Sequence, residues 1–468
     1  MISNRNKYLA KNTAVFIIGN IGTKLINFLM VPLYTYALST EQYGTVDLIT
    51  TLVMMLAPIL ILNVNESILR YSLDQERNKN EILSIGIVSI VFAFVLALFP
   101  TWIIYRIEAM KEYALCFYFY MISLSISQVF SCYIRGLEKL KEYATASLIS
   151  TFVVASLCVV FLVHYNLGIR GYFLAYILGI SVSNTYLFVK GEIWKGFSNF
   201  TLNRSLARDM LRYSVVLIPN TFMWWIINSS DRMMITAMMG TAANGIYAVS
   251  YKLPSSMQTL TQVFNQAWSY SAIRESKSED NDAYNTRIYN FITSATAIIG
   301  IIVITFIRPI MRLYVSTEYY TAWTYTPFLV VGFVFLSAAS FIGTQYTVHK
   351  YSIGYLLSST CGAIVNIILN FFLIPKIGIN GAALATCISY ISVYVYRIID
   401  TRKFVKIQYG DTRRVSTITI LLLTSLLCLM DCKIGNCLMI ANLVIVLILY
   451  KNPLCQLLHR IFYLIGNQ

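Results

Sequence analysis

The sequence predicts an all-α polytopic membrane protein with about fourteen transmembrane helices, because apolar runs of roughly 20 residues recur along it on short loops. Composition agrees: 57% of the 468 residues are hydrophobic and only 12% charged, with a mean hydropathy of +0.65. A soluble domain carries about a quarter charged residues, so that class is excluded. A third observation is that basic residues crowd into every second loop, which converts a net charge of +15 into a statement about topology and not about nucleic acid.

Each span is set by its flanking charges. The first, 12–36, follows Arg5, Lys7 and Lys11, and a short turn leads to the second, 45–66, which ends before the basic segment Arg70 to Lys79. The third, 82–105, crosses to Arg106 and Lys111; the fourth, 113–134, returns to Arg135 to Lys141. The fifth and sixth, 144–164 and 168–189, make a hairpin past Arg170 and end at the loop Lys190 to Arg212. The seventh and eighth, 212–239 and 243–271, are joined by the turn Gly240 to Asn244 and followed by Arg274 to Arg287. Then 288–307 runs to Arg308 and Arg312, 322–347 returns to Lys350, 353–374 runs to Lys376, and 379–400 returns to Arg397 to Arg414. The last two, 415–430 and 434–450, are short and meet at Lys433. Alternate loops divide the cations about 26 to about 7, which places both termini in the cytoplasm. The first apolar stretch is too long for a cleavable signal peptide and lacks a small-residue cleavage site, so an uncleaved anchor is expected.

The halves of the chain match in register. At an offset of 201, Val15, Ile26, Asn27, Thr35, Thr40, Gly44 and Leu52 fall on Val216, Ile227, Asn228, Thr236, Thr241, Gly245 and Leu253. Gly168 to Ala175 matches Gly378 to Ala385 at five of eight positions. A six-helix repeat follows, with two pseudo-symmetric lobes around a central cavity. The expected division is residues 1–200 for the first lobe, 201–410 for the second, and 411–468 for the last two helices and tail.

Three cations, Lys24, Arg232 and Lys252, fall inside apolar spans. A cation at bilayer depth costs about 2.5 to 3.5 kcal/mol even on lenient scales, and such residues mark substrate paths. The run Asn228-Ser229-Ser230-Asp231-Arg232 aligns with Asn27 to Val31 inside a span, so Asp231 is expected within the membrane. Helix arithmetic sets Asp231 and Lys252 at similar depths, roughly 12 Å below the turn, as partners, with Arg232 left to face the cavity. Asn27 and Asn228 are supporting polar groups, and Pro32, Pro58, Pro219 and Pro254 free backbone carbonyls in what read as gating helices. Glu66 and Arg70 read as a surface pair one turn apart, and Asp47 as an interfacial first-turn acid. An excess of buried cations implies transport of something negatively charged.

Catalytic and cofactor motifs are absent. There is no phosphate-binding Gly-rich loop and no His-Glu-x-x-His, and His164, His349 and His459 lack metal-ligand spacing, so neither metal nor cofactor is expected. Most cysteines sit in apolar spans as small hydrophobes; Cys432 and Cys437 near an outer turn have spacing that permits pairing.

Trp224 to Arg232, Gly245 to Pro254 and Phe264 to Trp268 resemble the seventh and eighth helices of Wzx-type oligosaccharide flippases, in the multidrug/oligosaccharidyl-lipid/polysaccharide (MOP) exporter superfamily. Ser39 to Gly44, Arg135 to Lys139 and Asn370 to Ala383 support the match. The resemblance implies a MATE-like fold and movement of undecaprenyl-pyrophosphate-linked oligosaccharide across the bacterial cytoplasmic membrane, for capsule, exopolysaccharide or O-antigen. Its partners would be that lipid, the bilayer and other polysaccharide assembly proteins, and the protein would be a transporter, not an enzyme. Related peptidoglycan-precursor flippases use several cavity arginines, whereas two of the three cations here are lysines, which lack a guanidinium fork. A cation-coupled multidrug exporter of the same superfamily is the alternative, and a membrane glycan polymerase or ligase a more distant one.

Overall fold

The computed structural model describes residues 22–451 except 75, 109, 199, 276, 277, 350 and 431, and no strand occurs among the described residues. Eleven helices there are long and apolar enough to cross a membrane. The three remaining predicted spans have separate reasons. The first begins outside the described residues, the eighth is interrupted, and the last is the short helix Lys433–Leu449. Two compact units divide the chain, residues 1–248 and 249–468.

In the first unit, residues 22–29 are helical, and after Met30 the chain re-enters a helix, α1 (Val31–Ala37), with Pro32 in its opening turn. Proline has no N–H to bond the preceding turn, which suits it to a break of this kind. The next helix, α2 (Thr40–Leu60), starts earlier than its apolar run because Ser39 and Gln42 form a capping box around its first turn. It carries Pro58 and ends at Leu62 and Asn63, both in the left-handed region, before α3 (Val64–Ser72) resumes the direction. Then come α4 (Lys79–Leu96), α5 (Leu98–Arg106), α6 (Ala114–Gly136), α7 (Leu140–Cys158), α8 (Gly168–Lys190) and α9 (Ile193–Ser198). The helix α10 (Arg204–Met239) runs 36 residues without a break although Pro219 lies inside it, and Asn203 caps it through the N–H groups of Ser205 and Leu206. It packs on α2 and α3. The core between α2, α6 and α8 is filled by Ile49, Val53, Phe117, Tyr120 and Phe173, each almost fully buried.

The second unit is built around α15 (Thr326–Val348), which is apolar on all sides and therefore enclosed. Around it lie α12 (Lys252–Glu275), α13 (Asn281–Thr305), α17 (Ile379–Thr401) and α18 (Thr412–Leu429); α16 (Ser352–Ile377) covers α17, and α19 (Lys433–Leu449) covers α18. The short α14 (Ile307–Tyr314) ends α13. Helix α11 (Thr241–Ser250), most of which belongs to the first unit, stops at Tyr251, and Pro254 follows in the second. Pro254 offers no N–H to the carbonyl of Ser250, and that oxygen lies 3.4 Å from Thr326 Oγ1, a hydroxyl shared with the nearer Ala322 carbonyl at 2.9 Å.

Arg397 departs from its expected place among loop cations. It lies inside α17 and is fully buried, donating to Ser358 Oγ at 3.0 Å and to the Ala339 carbonyl at 2.8 Å, with its guanidinium 4.6 Å from the Tyr355 ring centre. The reason is that α17 continues to Thr401, so residue 397 points inward from its last turns. Cys432 and Cys437 are free thiols.

Candidate functional site

Asn228 to Arg232 lies in the interior of α10, not in a loop, and Asp231 is completely buried. Its carboxylate accepts a hydrogen bond from Tyr247 Oη on α11 and another from the N–H of Arg232 at 2.9 Å. Asn228 Nδ2 donates to the carbonyl of Trp224 one turn back.

Arg232 does not stand open to a cavity as the sequence reading expected. Its Nη1 lies 2.7 Å from Asp47 Oδ1, with side chains 16% and 7% exposed, and 3.4 Å from Thr51 Oγ1. That separation is in the range of charge-assisted bonds, which are roughly twice as strong as neutral ones. Asp47 in turn is not an interfacial first-turn acid. The capping box at Ser39 starts α2 at Thr40, so Asp47 is two turns inside the helix and faces α10. Trp225, two turns before Arg232, donates its indole N–H to the Thr51 carbonyl at 3.1 Å, so the two helices are pinned at two levels.

Directly beside this pair, α2 meets α11 at a backbone-to-backbone crossing. A Cβ placed on Gly44 would lie 1.8 Å from the Thr241 carbonyl oxygen, and one on Gly245 would lie 2.0 Å from the Thr40 carbonyl oxygen. Small residues are what permit such approach between membrane helices. Asn244 seals the crossing, donating to the Gly44 carbonyl at 2.9 Å and reaching Asp47 Oδ2 at 3.5 Å. Asp47 thus links the crossing to Arg232.

The other expected residues are placed as follows. Lys24 is exposed on residues 22–29, and Asn27 is exposed on the same segment. Lys252 is half-buried at the start of α12 in the second unit, where its carbonyl accepts from Ser255 and Ser256. Pro58 and Pro254 are buried, Pro32 is half-buried and Pro219 exposed. Arg70 does not pair with Glu66; its guanidinium lies 4.7 Å from the Tyr213 ring centre, while Glu66 accepts from Asn65. Among the described residues no group of three His, Cys, Asp or Glu side chains comes together that could hold a metal ion.

A family model described as polysaccharide biosynthesis protein matches residues 9–270, which include every residue of this cluster. The chain belongs to that family. It is also 27% identical over 303 residues to an uncharacterized membrane protein of Methanocaldococcus jannaschii, covering 58% of this chain and 68% of that one. Among solved structures it is similar to the lipid II flippase MurJ in an inward closed conformation, with a TM-score of 0.69 at 15% identity over 95% of this chain and all of the other. An inward-facing multidrug resistance MATE transporter of the MOP superfamily gives 0.63 at 13% identity, over 83% and 97%. The chain shares the fold of these two proteins, and its long apolar helices make it a multi-pass membrane protein of the polysaccharide biosynthesis family.

Sequence reasoning singled out Asp231 and Arg232, placed Asp47 at the interface, and passed over Thr51, Asn244 and Tyr247. The available signal was the capping box, which moves the start of α2 outward and Asp47 inward.

Proposed function

We propose that the protein is a flippase that moves undecaprenyl-pyrophosphate-linked oligosaccharide repeat units from the inner to the outer leaflet of a bacterial cytoplasmic membrane by alternating access. The product would serve capsule, exopolysaccharide or O-antigen assembly. Both termini are cytoplasmic in this reading. The observation that carries it is the Asp47–Arg232 pair, held within membrane-spanning helices beside the Gly44–Gly245 crossing.

A pyrophosphate reaching Arg232 offers the guanidinium two phosphate oxygens in place of one carboxylate, so substrate displaces Asp47 and loosens α2 from α10. Lys24, in the same unit as Arg232, adds positive charge for the same headgroup and helps compensate its lost hydration. The barrier to opening is thereby lowered only when the anion is present. Asp231, held by Tyr247 and by the Arg232 N–H, keeps the arginine's helix in register with α11.

The test is glycan export by a deletion strain carrying variants. Lys24→Ala and Arg232→Ala should abolish export per amount of folded protein in the membrane, and Arg232→Lys should retain part, since charge outlasts fork geometry in a hydrated site. Wild-type export by both alanine variants would reject the reading. One observation favours a second reading, a cation-coupled exporter: Asp47 and Asp231 are both buried acids of the kind that bind coupling cations. Drug efflux that rises with expression and is lost in Asp47→Asn, without any lipid-linked intermediate accumulating on deletion, would select it.

A further inference from the structure

Away from the Asp47–Arg232 cluster, α3 and the first turns of α10 border an open surface cleft of about 350 Å³ lined by Tyr71, Asp209, Arg212, Tyr213, Val216 and Leu217. Its chemistry is unlike a packing defect. The Tyr71 and Tyr213 rings meet edge to face at 6.5 Å, and Arg70 lies over Tyr213 at 4.7 Å, which fixes that ring at the cleft wall. Arg212, which lines it, is exposed, and among the described residues no hydrogen bond or ion pair engages its guanidinium. Asp209 stands one turn below it.

The face of α10 that carries the cleft is graded along its length. Arg204, Arg208 and Arg212 recur every fourth residue and are exposed, and the same stripe then turns apolar through Val216, 73% exposed, and Pro219. A cationic segment followed by an exposed apolar one fits an amphiphile lying along the helix with its headgroup at the arginines.

We propose that this cleft docks the sugar-phosphate headgroup of a lipid before translocation. Arg212 takes the phosphate, the tyrosine faces flank the first sugar ring, and Asp209 accepts from sugar hydroxyls. The lipid chain runs along Val216 and Pro219. The volume is at the low end of the roughly 300–1,000 Å³ of small-molecule sites, which suits one sugar and its phosphate and not a whole repeat unit. The proposal rests on the flippase reading, whose orientation puts this end of α10 at the cytoplasmic side where such lipids are made.

The test measures binding to the purified full-length protein, separately from transport. The probes are a polyprenyl pyrophosphate bearing one N-acetylhexosamine, the same lipid without sugar, the free polyprenol and inorganic pyrophosphate. Arg212→Gln should weaken both phosphate-bearing lipids about tenfold, the size of one lost charge-assisted hydrogen bond. Tyr213→Leu should weaken mainly the sugar-bearing one, and Tyr213→Phe should leave it near wild type. Wild-type binding by Arg212→Gln and Tyr213→Leu overturns the site, as does loss of binding in Arg232→Gln alone. Inorganic pyrophosphate binding as tightly as the lipid would assign the cleft to a soluble anion, and polyprenol binding equally would reduce it to an apolar strip; either overturns the proposal. Should lipid binding hold while reconstituted protein moves no lipid, the flippase reading fails and the cleft stands.

Discussion

Asp47 and Arg232 sit in helices of membrane-spanning length, so removing either deprives the other of an opposite charge 2.7 Å away. Breaking such a pair costs about 3 to 5 kcal/mol, whereas replacing both partners with neutral ones costs far less. Asp47→Asn and Arg232→Gln should therefore each lower the melting temperature of the purified protein by more than the double variant does, and additive losses would show that the two are not coupled. At this scale the sequence was legible where a charge interrupted an apolar run, as at Asp231 and Arg232. It was not legible where the partner is remote. Asp47 lies 185 positions from Arg232, and Arg70 meets Tyr213 on another helix instead of Glu66 one turn away. Local spacing carries no information about such contacts.

Among the elements, the crossing of α2 and α11 and the break before α12 carry the strongest expectations. Gly44→Ala and Gly245→Ala each place a methyl group against backbone that has no softer atom to move, and each should destabilise the protein by about 1 to 3 kcal/mol. Thermal unfolding of both variants measures this, and unchanged stability would mean that the helices part at that level. At the break, Thr326→Val removes a hydroxyl shared between the Ala322 carbonyl at 2.9 Å and the Ser250 carbonyl at 3.4 Å, and should cost about 1 kcal/mol. In a Pro254→Ala background the restored N–H takes over, so the same substitution should cost less; an equal cost in both backgrounds would contradict the account of the break. Helix existence was read well from apolar length, and helix starts less so. The seventh span was drawn from residue 212, yet α10 begins at Arg204, because the apolar pattern does not register an Asn203 cap and a first turn of arginines.

For the whole molecule, loop charge predicts the orientation: reporter fusions after Lys79, Arg204 and Ser278 should read cytoplasmic, with one after Met110 reading external. An external signal at Arg204 would invert the placement of the headgroup cleft as well. The architecture was legible because a bilayer leaves a chain few choices: backbone groups must be satisfied internally, so long apolar runs become helices. The eighth span escaped that rule in part, since Pro254 and a polar succession from Gln258 to Gln266 make it two helices whose stability comes from neighbours. The central claim is that the chain carries a lipid-linked anionic glycan across the membrane and that Arg232 is engaged by it. It is tested most directly by reconstituting the purified protein in liposomes with a fluorescent polyprenyl-pyrophosphate glycan and following its accessibility to an external quencher. Wild-type protein should equilibrate the lipid between leaflets, and Arg232→Ala should lie at the protein-free rate; equal rates for wild type and protein-free liposomes, or for wild type and Arg232→Ala, would contradict it.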